Sequence, residues 1–294
     1  MRRLALLTVT LIALSLALAA CGGGKPGSTT QPGLQAPLPG NSELVVGPNR
    51  FAIGLIDENN ERIFEQGNAV HLRFFNPDGV LASDHDATFI WAIQDVSGFW
   101  ATDVDFDNPG KWTALVTVSR GAEDAAINVD FNVVQRGFAP KIGDQALPAD
   151  NLTLAQNPNI KRISTDPQPD QAFYQMTVTQ AIAAQKPFVV VFATPLFCSS
   201  QFCGPVLDNV KAVAPDFAGE VNFIHIEPYD LTEEGTLVLD AEGGPVVAQP
   251  TNDWNLQSEP WVFVVAADGT IAARFESAVS VDELRTAFQQ VVGS

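Results

Sequence analysis

Residues 188–205 have the sequence FVVVFATPLFCSSQFCGP, the strongest structural signal in the chain. Its first six residues are continuously apolar, as in a strand that is buried on both faces of a sheet. The loop that follows contains Cys198 and Cys203, and the residues after it, to about Ala214, predict a helix. The segment therefore predicts a buried strand that delivers two cysteines to the start of a helix.

The rest of the second half alternates between helix and strand signals. Around the cysteine segment we expect a helix over 171–185, a second central strand over 221–227, and a hairpin of strands over 260–265 and 270–275. Ser280 followed by Glu283 is a capping-box signature that opens a last helix. The order is β-α-β followed by β-β-α, which predicts an α/β domain over residues 137–294.

Four short motifs in this order resemble thioredoxins, in particular the TlpA-like ones: FAT at 192–194, FCGP at 202–205, SEPW at 258–261 and DGTI at 268–271. The resemblance implies a thioredoxin-like fold, with a central mixed sheet flanked by helices. It also implies thiol–disulfide exchange by Cys198 and Cys203. In that family a cis-proline loop packs beside the disulfide and contacts partner chains, which assigns substrate binding to Glu259 and Pro260.

The cysteine pair departs from the family pattern. If Cys203 matches the family's first cysteine, the second would fall at Val206, whereas the partner here lies upstream in a C-x4-C arrangement. The family's buried acidic residue would fall near Val190, which is apolar. The sequence allows two starts for the following helix, with Ser199 as its cap or with Gly204-Pro205 as its first residues, and a disulfide is compatible with both.

Three functions are compatible with this pair. In the first, the more exposed Cys198 attacks a partner disulfide and Cys203 resolves the mixed disulfide. In the second, the domain is a catalytically silent interaction module in which a disulfide only staples the loop. In the third, the protein is similar to Sco-type copper chaperones, and copper would be held by Cys198, Cys203 and His225. A histidine within a strand is more often a hydrogen-bonded core residue than a ligand, and no other cofactor is expected.

The first half of the chain predicts only strands. Alternation of apolar and polar residues is clear over 111–119 and 125–134, and Asn76-Pro77-Asp78-Gly79 is a strong turn signal. Six to eight short strands over 43–136 favour an immunoglobulin-like β-sandwich. Its combination with the second half resembles a group of bacterial lipoproteins that end in a thioredoxin-like domain, and we expect it to act as a spacer or docking platform.

The N-terminus has the layout of a secretion signal. Two arginines precede an apolar run from Leu4 to Leu18, and Leu18-Ala19-Ala20-Cys21 resembles the bacterial lipobox. The sequence thus predicts a signal peptide over 1–20, lipidation of Cys21, and a Gly-, Pro- and Ser-rich tether over 21–42. The expected location is the cell envelope, lipid-anchored and facing outside the cytoplasm, where disulfides persist.

The charge and the missing motifs exclude several function classes. Sixteen basic and 34 acidic residues give a formal charge of −18, which argues against nucleic acid as a partner. The sequence contains no phosphate-binding glycine loop, no H-E-x-x-H and no G-x-S-x-G. From the cysteine pair and the lipobox-like sequence, the expected partners are protein thiols or disulfides outside the cytoplasm, together with the membrane that holds the lipid on Cys21.

Overall fold

A computed structural model describes residues 34–57, 59–63, 67–120 and 123–293. The predicted signal peptide, the lipidation site Cys21 and most of the predicted tether lie outside the described residues. Within the described part, no helix has the length and apolar character needed to cross a membrane. Residues 35–39, which the sequence assigned to the tether, form a strand that pairs with the first unit.

The first unit is one curled antiparallel sheet. Its strands are β1 Gln35–Pro39, β2 Gly47–Ile56, β3 Arg62–Ile63, β4 Ala69–Phe75, β5 Leu81–Ile93, β6 Ser97–Phe106, β7 Gly110–Arg120 and β8 Glu123–Val133. They run in the order β1-β2-β6-β5-β4-β7-β8, and the short β3 pairs with β2. Alternate residues of β7 (Trp112, Ala114, Val116 and Val118) are fully buried, so the concave face of the sheet encloses the core.

The predicted immunoglobulin-like sandwich is wrong, because strand β5 joins what would have been two sheets into one. Its first half pairs with β4, from Leu81 to Ala87, and its second half pairs with β6, from Thr88 to Ile93. A sandwich needs two separate stacked sheets. A 13-residue strand that changes neighbour halfway along gives a single curved surface instead.

The second unit has a four-stranded sheet in the order β10-β9-β11-β12. The strands are β9 Phe188–Phe192, β10 Asn222–Ile226, β11 Trp261–Val265 and β12 Ile271–Glu276. Strands β9 and β10 are parallel, whereas β11 is antiparallel to β9 and forms a hairpin with β12. The helices are α1 Val178–Ala183, α2 Cys203–Val213, α3 Gln249–Asp253 and α4 Val281–Val292. All five residues of β9 are buried, as the apolar run predicted.

The predicted fold class is also wrong for the chain as a whole. The structure is mostly β, and only 18% of it is helical, so it is not a thioredoxin-like α/β fold. Among the helices of the described residues, only α2 and α4 are longer than two turns, and both pack on one face of the second sheet. The other face is covered by the short α1 and by residues from irregular segments, among them Ala139, Ala146, Trp254 and Leu256.

The two units are joined by buried ion pairs and an apolar contact. The Arg274 guanidinium lies 2.7 Å from the Glu43 carboxylate, with both side chains about 95% buried. Arg50 of β2 pairs with Glu283 of α4 at 2.6 Å. Breaking a buried pair on one side costs several kcal/mol, about 3–5. These contacts fix the first sheet against the second unit.

Candidate thiol site

The two cysteines lie at the carboxyl end of β9, where the chain turns into α2. Helix α2 begins at Cys203, so its start matches neither of the two starts considered from the sequence. A turn connects the cysteines: the Gln201 amide donates to the Cys198 carbonyl at 3.3 Å, and Gln201 adopts a left-handed φ of 65°. Cys203 is fully buried and Cys198 is half-buried.

Both cysteines are free thiols. Their side chains approach each other within 2.6 Å, which is longer than the S–S bond of about 2.05 Å. The Cys198 sulfur also lies 3.2 Å from the Ser200 hydroxyl and 3.4 Å from the Cys203 amide nitrogen. The pair is therefore in direct contact, with Cys198 facing hydrogen-bond donors at the start of a helix.

This environment stabilises the thiolate of Cys198. Hydrogen bonding from the Cys203 thiol lowers the pKa of Cys198 to about 5, against the opposing effect of burial. Hydrogen bonds from the Ser200 hydroxyl and from the backbone amides of Phe202 and Cys203 contribute to the same lowering of the pKa. Amides at a helix N-terminus also carry the positive end of the helix dipole, which favours an anion there.

The second thiol is shifted in the opposite direction. Its hydrogen bond to Cys198 raises the pKa of Cys203, and burial adds to this effect. The charge of Glu259 contributes in the same direction. The site thus holds one half-buried sulfur whose thiolate is stabilised and one buried thiol that retains its proton.

The Glu259–Pro260 loop lies beside the pair. The peptide bond between the two residues is cis, Pro260 is buried and Glu259 is half-buried. The Tyr229 hydroxyl donates to a Glu259 carboxylate oxygen at 3.2 Å. Burial raises the pKa of Glu259, and the Cys198 thiolate raises it further, which places this carboxyl within electrostatic range of the sulfur.

Two groups near the pair were missed in the sequence. Burial and Glu259 raise the pKa of Tyr229 to about 12, and both cysteines contribute. Glu227 directly follows β10, is 6% exposed, and accepts hydrogen bonds from the amide and hydroxyl of Thr165 at 3.0 Å. Burial raises the pKa of Glu227 to about 7. The only sequence signal for Glu227 was its position directly after an apolar strand.

Both ring nitrogens of His225 are engaged in hydrogen bonds within the core. Its Nε2 donates to the Ala193 carbonyl at 2.9 Å, and its Nδ1 lies 2.8 Å from the Tyr174 hydroxyl. Burial lowers the pKa of His225 to about 4, so the ring is neutral. Among the described residues no group of three or more His, Cys, Asp or Glu side chains is arranged to hold a metal ion. The alternative copper set of Cys198, Cys203 and His225 is therefore not assembled.

Comparisons with known proteins add no functional assignment. No family model and no curated protein matches the chain. Two solved structures of β-glucuronidase from Parabacteroides merdae, one with glycerol in its active site, are similar at TM-scores of 0.25 and 0.23, with 9% and 8% sequence identity. The matches cover 40% and 42% of this chain and 14% of each enzyme chain.

Proposed function

We propose that this protein exchanges thiols and disulfides with partner proteins through Cys198 and Cys203. The observation that carries the proposal is the contact between two free thiols whose pKa values are shifted in opposite directions at the start of α2. Exchange needs a nucleophilic thiolate that partners can reach and a second thiol that reacts later. The half-buried Cys198 and the buried Cys203 fit these two roles.

The reaction proceeds in two balanced steps. The Cys198 thiolate attacks one sulfur of a partner disulfide; the partner S–S bond breaks, a mixed disulfide forms, and the departing partner thiolate takes up a proton. Cys203 then loses its proton and attacks the Cys198 sulfur, which releases the second partner thiol and closes the Cys198–Cys203 disulfide. The partner disulfide is reduced and the protein pair is oxidised. The reverse sequence oxidises a partner dithiol.

The charges around the pair influence how readily the cycle runs. Formation of the Cys198–Cys203 disulfide removes the thiolate, and with it the repulsion that raises the pKa of Glu259. Glu259 therefore opposes the reduced, anionic state and favours the disulfide. We assign Glu259 and Pro260 to partner contact, because the half-buried Glu259 lies within electrostatic range of the half-buried Cys198 and Pro260 follows it directly.

The proposal extends to the location of the protein. The lipobox-like sequence at Cys21 supports a lipid anchor in the cell envelope, with the described units outside the cytoplasm. An oxidising compartment is where partner disulfides would be found. Globomycin, which blocks cleavage of lipoprotein signals, should cause an unprocessed form to accumulate if Cys21 is the lipidation site, and should leave processing unchanged if it is not.

A structural disulfide is the second candidate, and it is favoured by the complete burial of Cys203 in the core beside α2. A trapping experiment separates the two. The Cys203→Ser variant should retain a mixed disulfide on Cys198 when mixed with a peptide disulfide, because the resolving thiol is missing. The matched Cys198→Ser variant should trap none. No trapping by either variant would leave only the structural role, and equal trapping by the two would contradict the assignment of Cys198 as the attacking thiol.

A further inference from the structure

The convex face of the first sheet contacts the cysteine loop at Phe202. An apolar group on this face, here called the outer patch, consists of Ala52, Ile90, Ala92, Phe99 and Ala101, and it packs with Ala278 of the second unit. Phe202, the residue before Cys203, also packs against this patch. Its ring meets the ring of Phe99 edge to face, with centroids 5.6 Å apart and planes at 82°.

Phe202 occupies the N-cap position of α2 and yet makes no side-chain capping hydrogen bond. Helix starts are usually fixed by a Ser, Thr, Asp or Asn side chain that binds the free amides. The residue before it, Gln201, has a left-handed backbone, which is costly for a residue other than glycine. The amides at this helix start are held by neighbouring side chains, the Phe202 amide by the Ser200 hydroxyl at 3.4 Å and the Cys203 amide by the Cys198 sulfur at 3.4 Å. The aromatic contact of Phe202 with Phe99 adds a restraint from the first unit.

The contact between Phe99 and Phe202 lies next to the Cys203 amide, which faces the Cys198 sulfur. The Phe202 carbonyl accepts the Val206 amide at 2.9 Å, which begins α2, and the next amide, that of Cys203, lies 3.4 Å from the Cys198 sulfur. A backbone shift at Phe202, if its ring left the outer patch, would move the Cys203 amide relative to the thiolate. Thiolate stability at a helix start depends on such aligned amides.

We propose that Phe99 is a positioning residue for the thiol pair, acting from the first sheet through Phe202. Phe99 belongs to the outer patch, whereas both cysteines pack in the core beside α2, so its role is to hold the donors of Cys198 in place through Phe202. The inference rests on the proposed function for its biological meaning. The first unit is then part of the thiol site and more than the spacer or docking platform expected from the sequence.

The test is the pH dependence of iodoacetamide alkylation of Cys198 in the reduced protein, with the modified cysteine identified by peptide mass. We expect Phe99→Ala to move the midpoint upward by at least one pH unit, which lowers the rate below the midpoint about tenfold. Phe99→Leu, which keeps an apolar side chain, should restore most of the lost rate. Phe202→Ala should give the same shift, and the double variant should not exceed either single variant.

Phe106→Ala is the matched control. Phe106 lies on the same strand, is fully buried, and belongs to the core of the opposite face. It should lower the unfolding temperature and leave the midpoint unchanged. The inference is overturned if folded Phe99→Leu and Phe99→Ala keep the parent midpoint, or if Phe106→Ala shifts it equally.

The outcome also separates this inference from the proposed function. A shifted midpoint in a protein that traps no mixed disulfide would keep the role of Phe99 and remove the exchange activity. A trapped mixed disulfide together with an unchanged alkylation midpoint would keep the exchange activity and remove the role of Phe99.

Discussion

The ionisation of Cys198 has a measurable consequence for its reaction rate. At pH 6 a thiol with a pKa of about 5 is roughly 90% thiolate, whereas an ordinary cysteine with a pKa of about 8.5 is roughly 0.3% thiolate, a ratio of about 300. A thiolate of lower pKa is a weaker nucleophile; with a Brønsted coefficient of about 0.4–0.5, the difference of about 3.5 units costs about 25- to 55-fold. Cys198 should therefore react roughly 5- to 12-fold faster than free cysteine at pH 6.

The rate advantage of Cys198 over free cysteine reverses at high pH. Above about pH 9 both thiols are largely ionised, so only the weaker nucleophilicity of Cys198 remains, and free cysteine should react tens of times faster. The assay is the second-order rate of exchange with an uncharged aromatic disulfide from pH 4 to pH 10, with free cysteine measured in parallel. A rate for Cys198 that still rises between pH 7 and pH 9, as for free cysteine, would refute the argument for a stabilised thiolate.

Three further predictions follow from buried charges. The pKa of Glu227 is raised from 4.5 to about 7, so the folded protein binds the proton more tightly than the unfolded chain and loses stability as pH rises through that window. The free energy of unfolding of Glu227→Gln, measured in urea relative to the parent, should therefore rise by about 3 kcal/mol between pH 4.5 and pH 8. The same difference between variant and parent at both pH values would contradict this. Glu259→Gln removes a negative charge beside Cys198 and should move its alkylation midpoint to lower pH; an upward move would be inconsistent with the site described here. Glu43→Gln should cost about 3 kcal/mol in urea unfolding, because it leaves a buried guanidinium without its carboxylate. Its control Asp216→Asn, at an exposed pair, should cost under about 1 kcal/mol, and equal costs for the two would contradict the difference in burial.

Local elements of the fold could be predicted from the sequence, because their signals are local. The strand at 188–192, the hairpin of β11 and β12 and the capping box of Ser280 with Glu283 are confirmed. The overall class could not be predicted. The first sheet is continuous only because β5 changes partner halfway along, and strand alternation carries no information about which neighbour a strand pairs with.

The candidate site likewise combines residues that local sequence signals indicate with residues that only long-range packing brings in. The cysteines and the Glu259–Pro260 loop stand out as motifs, because each is a short and unusual sequence. Phe99, Tyr229 and Glu227 do not stand out, since their importance arises from where distant segments meet. Phe99 and Phe202 are separated by about a hundred residues and lie in different units, so only the packed structure brings their rings into contact.

The most direct test of the central claim is the reduction potential of the Cys198–Cys203 pair, measured by equilibration of the protein in thiol redox buffers of known potential. Stabilisation of the Cys198 thiolate favours the reduced form, so the account predicts a value between about −120 and −270 mV, within the range of thiol–disulfide oxidoreductases. A value below about −300 mV, with thiols that become accessible only after unfolding, would mark a structural disulfide and contradict the account.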